Sequence, residues 1–316
     1  GFVNAAVHAI EQRDPTTFGN SGRVATMTVG LAEVVDRSGD GPYRHVNFSR
    51  QQIKEIRYAG LLHDFGKVGV REQVLVKAKK LYPPDLSLIR SRYAFIKRSA
   101  EAEYHRRRAD YLAERGRAGY DEFLAQLDAA HRKEMEGLES FLKTVLTANE
   151  PSLLPEGSFE ELLGLAERTF ADVEGHEQHL LSDDEVRYLT IRKGSLDEAE
   201  RLEIESHVTH TYRFLLQIPW TKELSQIPLI AYGHHEKLNG SGYPRKVGAP
   251  DIPIQTRMMT VSDIFDALTA ADRPYKRAVP LQRAIDIMAA EVKDGMLDAE
   301  LFRLFVDGKV FEKLAG

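Results

Sequence analysis

Apolar residues recur at every third or fourth position along most of the chain, and this spacing restricts it to a helical fold. An α-helix turns once in about 3.6 residues, so such residues line one helix face, whereas a half-buried strand alternates apolar and polar residues. No convincing alternating run is present. The spacing is regular in two early segments: Val24, Met27, Leu31, Val34 and Ile53, Ile56, Ala59, Leu62. The sequence therefore predicts an all-α protein.

The middle of the chain contains the longest helical pattern. From Leu86 to Tyr111 the apolar positions are separated mainly by threes and fours, which predicts one long amphipathic helix. Gly116 and Gly119 interrupt the pattern, and a second long helix is predicted from Leu124 to Val145. The two segments together predict a helical hairpin.

The composition excludes several kinds of site and partner. Cysteine is absent, so any metal must be held by histidine and carboxylate side chains. The formal net charge of −5 provides no overall positive field, which argues against binding of a nucleic acid polymer. No run approaches the roughly 18 consecutive apolar residues of a membrane span. We expect a cytoplasmic protein.

The first residues enter a helical pattern at once. Gly1 to Val7 have neither the basic start nor the cleavage site of a signal peptide. We expect the natural protein to have a further region upstream, with a sensor as one candidate.

Five separated segments carry residue types that build a metal-hydrolase site, and the first contains His63 and Asp64. This pair ends an apolar helical stretch and is followed by Gly66 and Lys67. A histidine and a carboxylate beside a buried apolar run are costly without a partner, and a metal ion is such a partner. Asp64 could bridge two ions, and Lys67, four residues after His63, is expected on the same helix face.

Histidines dominate the next two segments. In the second, either His207 or His210 could be a ligand, in a helix that runs towards Leu215. The third is His234-His235-Glu236-Lys237-Leu238-Asn239-Gly240-Ser241-Gly242-Tyr243-Pro244. Adjacent histidines point about 100° apart on a helix, so both can bind a metal only near a helix end. The following turn predicts that end, and Tyr243 either shapes the substrate entrance or packs within the turn.

The last two segments combine carboxylates with cations. Asp263 lies in an otherwise apolar helical segment, and Asp266, one turn later, is a candidate partner or cap. The fifth segment is Asp272-Arg273-Pro274-Tyr275-Lys276. Cations beside a metal cluster suit a phosphate group.

In this combination the sequence resembles the HD-GYP family, a branch of the HD metal-dependent phosphohydrolases. That family carries His-Asp-x-Gly-Lys, a later lone histidine, His-His-Glu-x-x-x-Gly-x-Gly-Tyr-Pro, and Asp-x-x-Asp-Ala-Leu leading to Arg-Pro-Tyr-Lys. The chain matches these segments in order, and the resemblance covers residues 1–81 and 190–316. It implies an HD-domain helical bundle, with residues 82–189 as a helical insertion.

The resemblance also implies an activity and a set of site residues. The activity is hydrolysis of cyclic di-GMP, mainly to linear pGpG, with two divalent transition-metal ions that could be iron, manganese, zinc or nickel. The implied metal ligands are His63, Asp64 as the bridging ligand, His207, His234, His235 and Asp263. Lys67, Arg273 and Lys276 would hold the phosphate, with Lys67 and Asp64 as catalytic residues and Tyr243 near the substrate.

The match departs from the family at two positions near the start. Asn20 replaces a histidine that is usually a metal ligand, and an amide oxygen is a weaker ligand for transition metals than imidazole. Asn20 is therefore a tentative ligand. Thr16 occupies the position of a carboxylate found in members with a third metal. The resemblance thus favours two metals over three.

Other interpretations stay open. A module with little turnover, weakened by Asn20, would bind cyclic di-GMP or a protein partner such as a diguanylate cyclase. An enzyme could instead prefer cyclic GMP-AMP, because no segment reads the base directly. The insertion could serve as a lid, a docking arm or the contact of a homodimer.

Overall fold

The structure, a computed structural model, describes residues 2–13, 19–154, 157–270 and 278–315. The chain divides into two compact units, which we call the first unit (Gly1–Val76 with Glu200–Gly316) and the second unit (Lys77–Ala199). The second unit begins before residue 82 and ends after residue 189, so it is larger than the predicted insertion. Within the described residues, no helix is long and apolar enough to cross a bilayer.

Helices form nearly all of the regular structure, as predicted. In chain order the elements are α1 (Phe2–Arg13), α2 (Asn20–Arg37), α3 (Arg50–Leu62), α4 (Glu72–Leu75), α5 (Pro83–Arg115), α6 (Tyr120–Ala148), α7 (Ser158–Ala166), β1 (Thr169–Ala171), β2 (Glu177–His179), α8 (Asp183–Leu189), α9 (Glu198–Leu215), α10 (Ile227–Tyr232), α11 (Ile254–Thr269), α12 (Leu281–Lys293) and α13 (Ala299–Asp307). Short 3₁₀ helices span Phe65–Gly69, Lys222–Leu224, Ala249–Asp251 and Val310–Ala315.

Helix α2 packs against α3, α11 and α13 in the core of the first unit. Its residues Val24, Met27 and Leu31 are fully buried, which confirms the face predicted from their spacing. Burial of each such side chain contributes about 1.5–3 kcal/mol relative to exposure. Gly60 on α3 permits the close approach of α2, because a Cβ there would lie 2.8 Å from the Cα of Ala25. Helix α3 ends at Leu62, two residues after this contact, and the residues that follow belong to the candidate site.

The second unit contains the predicted helical hairpin. Helices α5 and α6 pack on each other and are joined by a turn in which Gly116 and Gly119 have φ of 62° and 70°. Its apolar core comes from both long helices and from the segments before and after them: Leu81, Ile89, Phe141, Val145, Ala148, Leu162, Leu165, Leu180, Leu181 and Leu189. The sequence analysis missed the antiparallel pair β1–β2. Each strand has three residues and no buried face, so neither can show apolar alternation.

Candidate metal centre

The His63–Asp64 pair lies where α3 ends. The helix ends at Leu62, and the chain then turns into the 3₁₀ helix that contains Gly66 and Lys67. Gly66 lies directly against α9, since a Cβ there would be 1.9 Å from the carbonyl oxygen of His207. Only glycine fits this contact, which brings His207 close to His63 and Asp64.

A buried hydroxyl group joins these two segments. The backbone N–H of Gly66 donates to Oγ1 of Thr211 at 2.7 Å, and this hydroxyl donates to the carbonyl oxygen of His63 at 2.9 Å. Thr211 is fully buried. The sequence analysis did not single out Thr211, although its position four residues after His207 on the same helix face was a usable signal.

The His234–His235 pair follows a helix end, as predicted from the adjacent histidines. Helix α10 ends at Tyr232, and the hydroxyl of Thr260 on α11 donates to the carbonyl oxygen of His234 at 2.9 Å. Asp263 lies three residues after Thr260 on the same helix. Helix α11 therefore holds the histidine pair and also supplies a carboxylate to the site.

Glu236 holds the turn that follows the two histidines. It is 2% exposed, and its carboxylate accepts from the backbone N–H groups of Arg245 at 2.7 Å and Val247 at 3.2 Å. The chain folds back so closely that a Cβ at Gly242 would lie 2.5 Å from the carbonyl oxygen of His235. Glu236 is a structural residue of the turn, a role that the sequence analysis did not assign.

Five of the predicted ligands converge around Asp64 and Asp263. Nε2 of His207 lies 3.2 Å from Oδ1 of Asp64, and Nε2 of His63 lies 3.5 Å from Oδ2 of Asp64 and 3.6 Å from Oδ1 of Asp263. Nδ1 of His235 lies 4.0 Å from Oδ2 of Asp263. The sixth, His234, has its ring centroid 4.8 Å from that of His63 and 4.1 Å from that of His235.

Three of these histidines share one hydrogen-bonding pattern. Nδ1 of His63, His207 and His234 lies 2.7, 2.5 and 2.6 Å from the carbonyl oxygen three residues earlier in the chain. A carbonyl oxygen can only accept, so each Nδ1 carries a proton. The three Nε2 atoms are buried and have no hydrogen-bond partner among the described residues. Metal-binding histidines typically show this arrangement, in which the second ring nitrogen donates to a backbone carbonyl or carboxylate.

The contact between His207 and Asp64 requires a cation. Nδ1 of His207 faces a backbone carbonyl and Nε2 lies 3.2 Å from a carboxylate oxygen, so an Nε2 without a proton would place two acceptors face to face. Such a pair repels unless a proton or a metal ion lies between the two atoms. In two groups, His63–Asp64–His234 and His207–His234–His235, the available ligand atoms all lie within 4.8 Å of one another. The donor set therefore fits divalent transition metals.

The pKa shifts agree with a site that concentrates negative charge. Burial alone would lower the pKa of His63, but Asp64 and Asp263 raise it to about 9. Burial would raise the pKa of Asp64, yet Lys67, His63 and His207 hold it well below its usual value. Burial, together with His63, lowers the pKa of His234 to about 3. His234 is therefore neutral at physiological pH, as a ligand must be.

Lys67 contacts Asp64 rather than sharing a helix face with His63. Its Nζ lies 2.9 Å from Oδ2 of Asp64, and its side chain is 13% exposed. The chain has left the α-helix before Lys67, so the helical spacing assumed from the sequence does not apply.

The remaining predicted residues lie in different places. The ring of His210 packs against Gly69, where a Cβ would be 3.2 Å from its Cδ2, and His210 belongs to neither of the two ligand groups. Tyr243 is half-buried, with its ring centroid 4.8 Å from that of His235. Burial, with Asp263, Glu205 and Asp64 nearby, raises the pKa of Tyr243. Arg273, Lys276 and Thr16 lie outside the described residues.

Part of this chain is similar in sequence to known HD-domain proteins. The HD domain family matches residues 184–301. A 3'3'-cGAMP-specific phosphodiesterase 3 of Vibrio cholerae serotype O1 is 40% identical over 111 residues, which are 35% of this chain and 23% of that protein. A cyclic di-GMP phosphodiesterase response regulator of Xanthomonas campestris pv. campestris is 36% identical over 101 residues, 32% of this chain and 26% of the relative.

A further relative extends the range of organisms. A cyclic di-GMP phosphodiesterase of Thermotoga maritima is 33% identical over 102 residues, 30% of this chain and 26% of that protein. The chain thus spans about a quarter of the length of these relatives. The family match contains His207, His234, His235 and Asp263 and the whole His234–Pro244 segment. The family match and these relatives support the resemblance of this chain to the HD-GYP branch of HD-domain proteins.

Proposed function

We propose that this chain is a metal-dependent phosphodiesterase that hydrolyses a cyclic dinucleotide, with cyclic di-GMP as substrate and linear pGpG as the main product. One observation carries the proposal: the buried Nε2 atoms of His63, His207 and His234 have no hydrogen-bond partner among the described residues and lie together beside the carboxylate of Asp64. The names of the relatives support the substrate class, since they include enzymes for cyclic di-GMP and for 3'3'-cGAMP.

The site residues would hold two divalent ions. His63, Asp64, His207, His234, His235 and Asp263 supply the ligands, with Asp64 shared between the two metals. Ions bound here would supply Lewis-acid chemistry, which stabilises the negative charge that develops on a phosphodiester during hydrolysis. The backbone carbonyls behind His63, His207 and His234 keep the three Nε2 atoms directed into the site.

Lys67 provides positive charge next to these ligands. Its ammonium group is largely buried and is held by Asp64, so it is positioned before substrate arrives. A positioned cation stabilises a phosphate oxygen as charge develops in the transition state. Arg273 and Lys276 are proposed to bind the other phosphate oxygens. Tyr243, whose ring lies beside that of His235, is proposed to shape the substrate entrance and contact the substrate.

A second candidate function follows from Asn20. If the amide at this position weakens metal binding, the chain would bind cyclic di-GMP, or a signalling protein such as a diguanylate cyclase, with little turnover. Both candidates share the binding site and differ in the strength of metal binding and in catalysis.

The test combines metal content and turnover on one preparation. The chain is reloaded with manganese or ferrous iron, and hydrolysis of cyclic di-GMP, cyclic GMP-AMP and cyclic di-AMP is followed by chromatography. We expect about two metals per chain and formation of pGpG, both lost in Asp64→Ala. The matched control is Asp184→Ala, which removes a carboxylate that is 80% exposed in the second unit. Bound metal and ligand without turnover would favour the binding module, and absence of metal binding would contradict both candidates.

A further inference from the structure

Asn20 is the first residue of α2 and belongs to a buried polar cluster. It is 3% exposed, and its Nδ2 donates to Oδ2 of Asp266 at 2.8 Å. The guanidinium of Arg23 contacts the same carboxylate twice, from Nε to Oδ1 at 2.6 Å and from Nη2 to Oδ2 at 3.0 Å. Arg23 therefore holds Asp266, and Asp266 holds the amide of Asn20.

This cluster decides which way the amide of Asn20 points. An ionised carboxylate can only accept hydrogen bonds, so the NH₂ group of Asn20 must face Asp266 and its oxygen must face away. Oδ1 is buried and has no hydrogen-bond partner among the described residues. A buried acceptor without a partner costs about 1–3 kcal/mol. The cluster thus holds the amide of Asn20 in an orientation that is unfavourable unless another group binds its oxygen, Oδ1.

The unpaired oxygen of Asn20 is connected to the candidate metal centre through Asp266 and helix α11. Asp266 follows Asp263 by one turn on α11, so the two carboxylates lie on one helix face. Like Oδ1 of Asn20, the Nε2 atoms of His63, His207 and His234 are buried and have no hydrogen-bond partner among the described residues. A bound metal ion would satisfy Oδ1 of Asn20 and each Nε2 that gives up its proton to bind.

We infer that Asp266, held by Arg23, is a positioning residue that directs Oδ1 of Asn20 towards the metal centre as an additional ligand. The inference rests on the proposed metal-dependent function and adds a seventh protein ligand to its site. Because an amide oxygen is a weaker ligand for transition metals than imidazole, the ion that Asn20 contacts is the more weakly held one.

The experiment measures binding of Mn²⁺ to the full chain, with free Mn²⁺ quantified from its electron paramagnetic resonance signal. We expect Asn20→Ala to lower the affinity for the more weakly bound Mn²⁺ ion by about 10- to 100-fold. Asp266→Ala should lower the same affinity by about tenfold. If Asp266 acts through Asn20, the double variant binds no more weakly than Asn20→Ala alone. A purely structural role for Asp266 would add its effect to that of Asn20→Ala.

A gain-of-affinity variant gives an independent test. In Asn20→His, Nδ1–H can donate to Asp266 while Nε2 replaces the amide oxygen, which forms a carboxylate–histidine–metal arrangement. We expect the weaker-bound Mn²⁺ to bind at least about tenfold more tightly. In an Asp266→Ala background this gain should be reduced.

The Mn²⁺ affinities of these variants test the role of Asn20 and the role of Asp266 separately. Unchanged Mn²⁺ affinity in both Asn20→Ala and Asn20→His would overturn the ligand role of Asn20, and additive losses would overturn the positioning role of Asp266. Wild-type protein that binds no Mn²⁺ would contradict the proposed function itself, which separates that failure from this one. Circular dichroism checks the fold of each variant. If Asp266→Ala does not fold, Arg23→Gln replaces it in the cycle with the same expectation.

Discussion

Asp64 in the first unit and Glu185 in the second are both buried carboxylates, but they meet different partners. They are 6% and 5% exposed. Both oxygens of Glu185 accept hydrogen bonds, Oε1 from Arg92 and Oε2 from the backbone N–H of Ser182 at 2.8 Å. Oδ1 of Asp64 instead faces Nε2 of His207 at 3.2 Å, an atom without a hydrogen bond. Glu185 is satisfied within the protein, whereas Asp64 is arranged for a cation.

The comparison shows that burial and charge do not by themselves identify a functional carboxylate. The numbers of donors and acceptors around each oxygen make the distinction. In a low-dielectric interior a satisfied polar network adds rigidity, while facing acceptors are strongly unfavourable until a cation binds. Substitution of Asp64 should therefore affect metal binding, whereas substitution of Glu185 should affect stability.

The largest effect is expected from Asp64→Ala. Loss of a shared ligand should weaken Mn²⁺ binding by at least about 100-fold, since loss of an outer contact alone costs about 10- to 100-fold. Turnover of cyclic di-GMP should fall below detection. Mn²⁺ titration and chromatography of the products measure the two effects. If Asp64→Ala still binds two metal ions tightly, Asp64 is not a metal ligand and does not differ from Glu185 in the way proposed.

The complementary change, Glu185→Ala, should affect stability and not metal binding. It leaves the partly buried Arg92 without its carboxylate and removes the capping box at the start of α8. We expect the free energy of unfolding of the second unit to fall by about 3 kcal/mol. Urea unfolding and hydrogen exchange of α8 measure this loss.

The control for Glu185→Ala is Asp184→Ala, one residue earlier and exposed, which should change stability by less than about 0.5 kcal/mol. Equal effects of the two variants would show that the Arg92–Glu185 pair is not a stabilising contact. Reduced Mn²⁺ affinity in Glu185→Ala would show that the two carboxylates are not independent.

Metal itself should distinguish the two units. Mn²⁺ at about 100 times its dissociation constant should stabilise the first unit by about 2.7 kcal/mol, because it binds only the folded site. Hydrogen exchange followed by mass spectrometry should show added protection in α3 and α9 and none in α6. Equal added protection in both units would contradict the assignment of the metal site to the first unit.

The smallest effect is expected from Thr211→Val. This change removes the hydroxyl that accepts from Gly66 and donates to His63, and it should destabilise the first unit by about 1–2 kcal/mol. We also expect a several-fold loss of Mn²⁺ affinity, because the His63 and His207 segments are no longer joined. Thr209→Val, at a less buried position of the same helix, is the matched control. Thermal unfolding and Mn²⁺ titration of both variants measure the difference.

Local sequence patterns predicted the helices and the kinds of ligand in the site. The spacing of Val24, Met27 and Leu31 predicted a buried helix face, and the pattern from Leu86 to Tyr111 predicted a long helix that the structure contains as α5. The paired histidines predicted a helix end, and α10 ends two residues before His234. These predictions succeeded because helix periodicity and helix ends depend on residues close together in the chain.

Other features could not be read from the sequence. Helix spacing left His207 and His210 as equivalent candidates; the resemblance favoured His207, and the packing of α9 on Gly66 and Gly69 gives the physical difference between them. The strands β1 and β2 are too short and too exposed to give a pattern. The helical position assumed for Lys67 was wrong, because the chain changes to a 3₁₀ helix after Asp64.

The sequence by itself determined that the chain is helical, that any metal it binds must be held by histidine and carboxylate side chains, and that Asn20 stands where the resemblance leads one to expect an imidazole. The tertiary structure decided which atoms those ligands present. Asp266 orients the amide of Asn20 across 246 positions of sequence, and Thr211 joins the ends of two helices across 148. Composition and residue spacing can be read along the linear chain. The direction of a lone pair depends on donors and acceptors that only folding brings together.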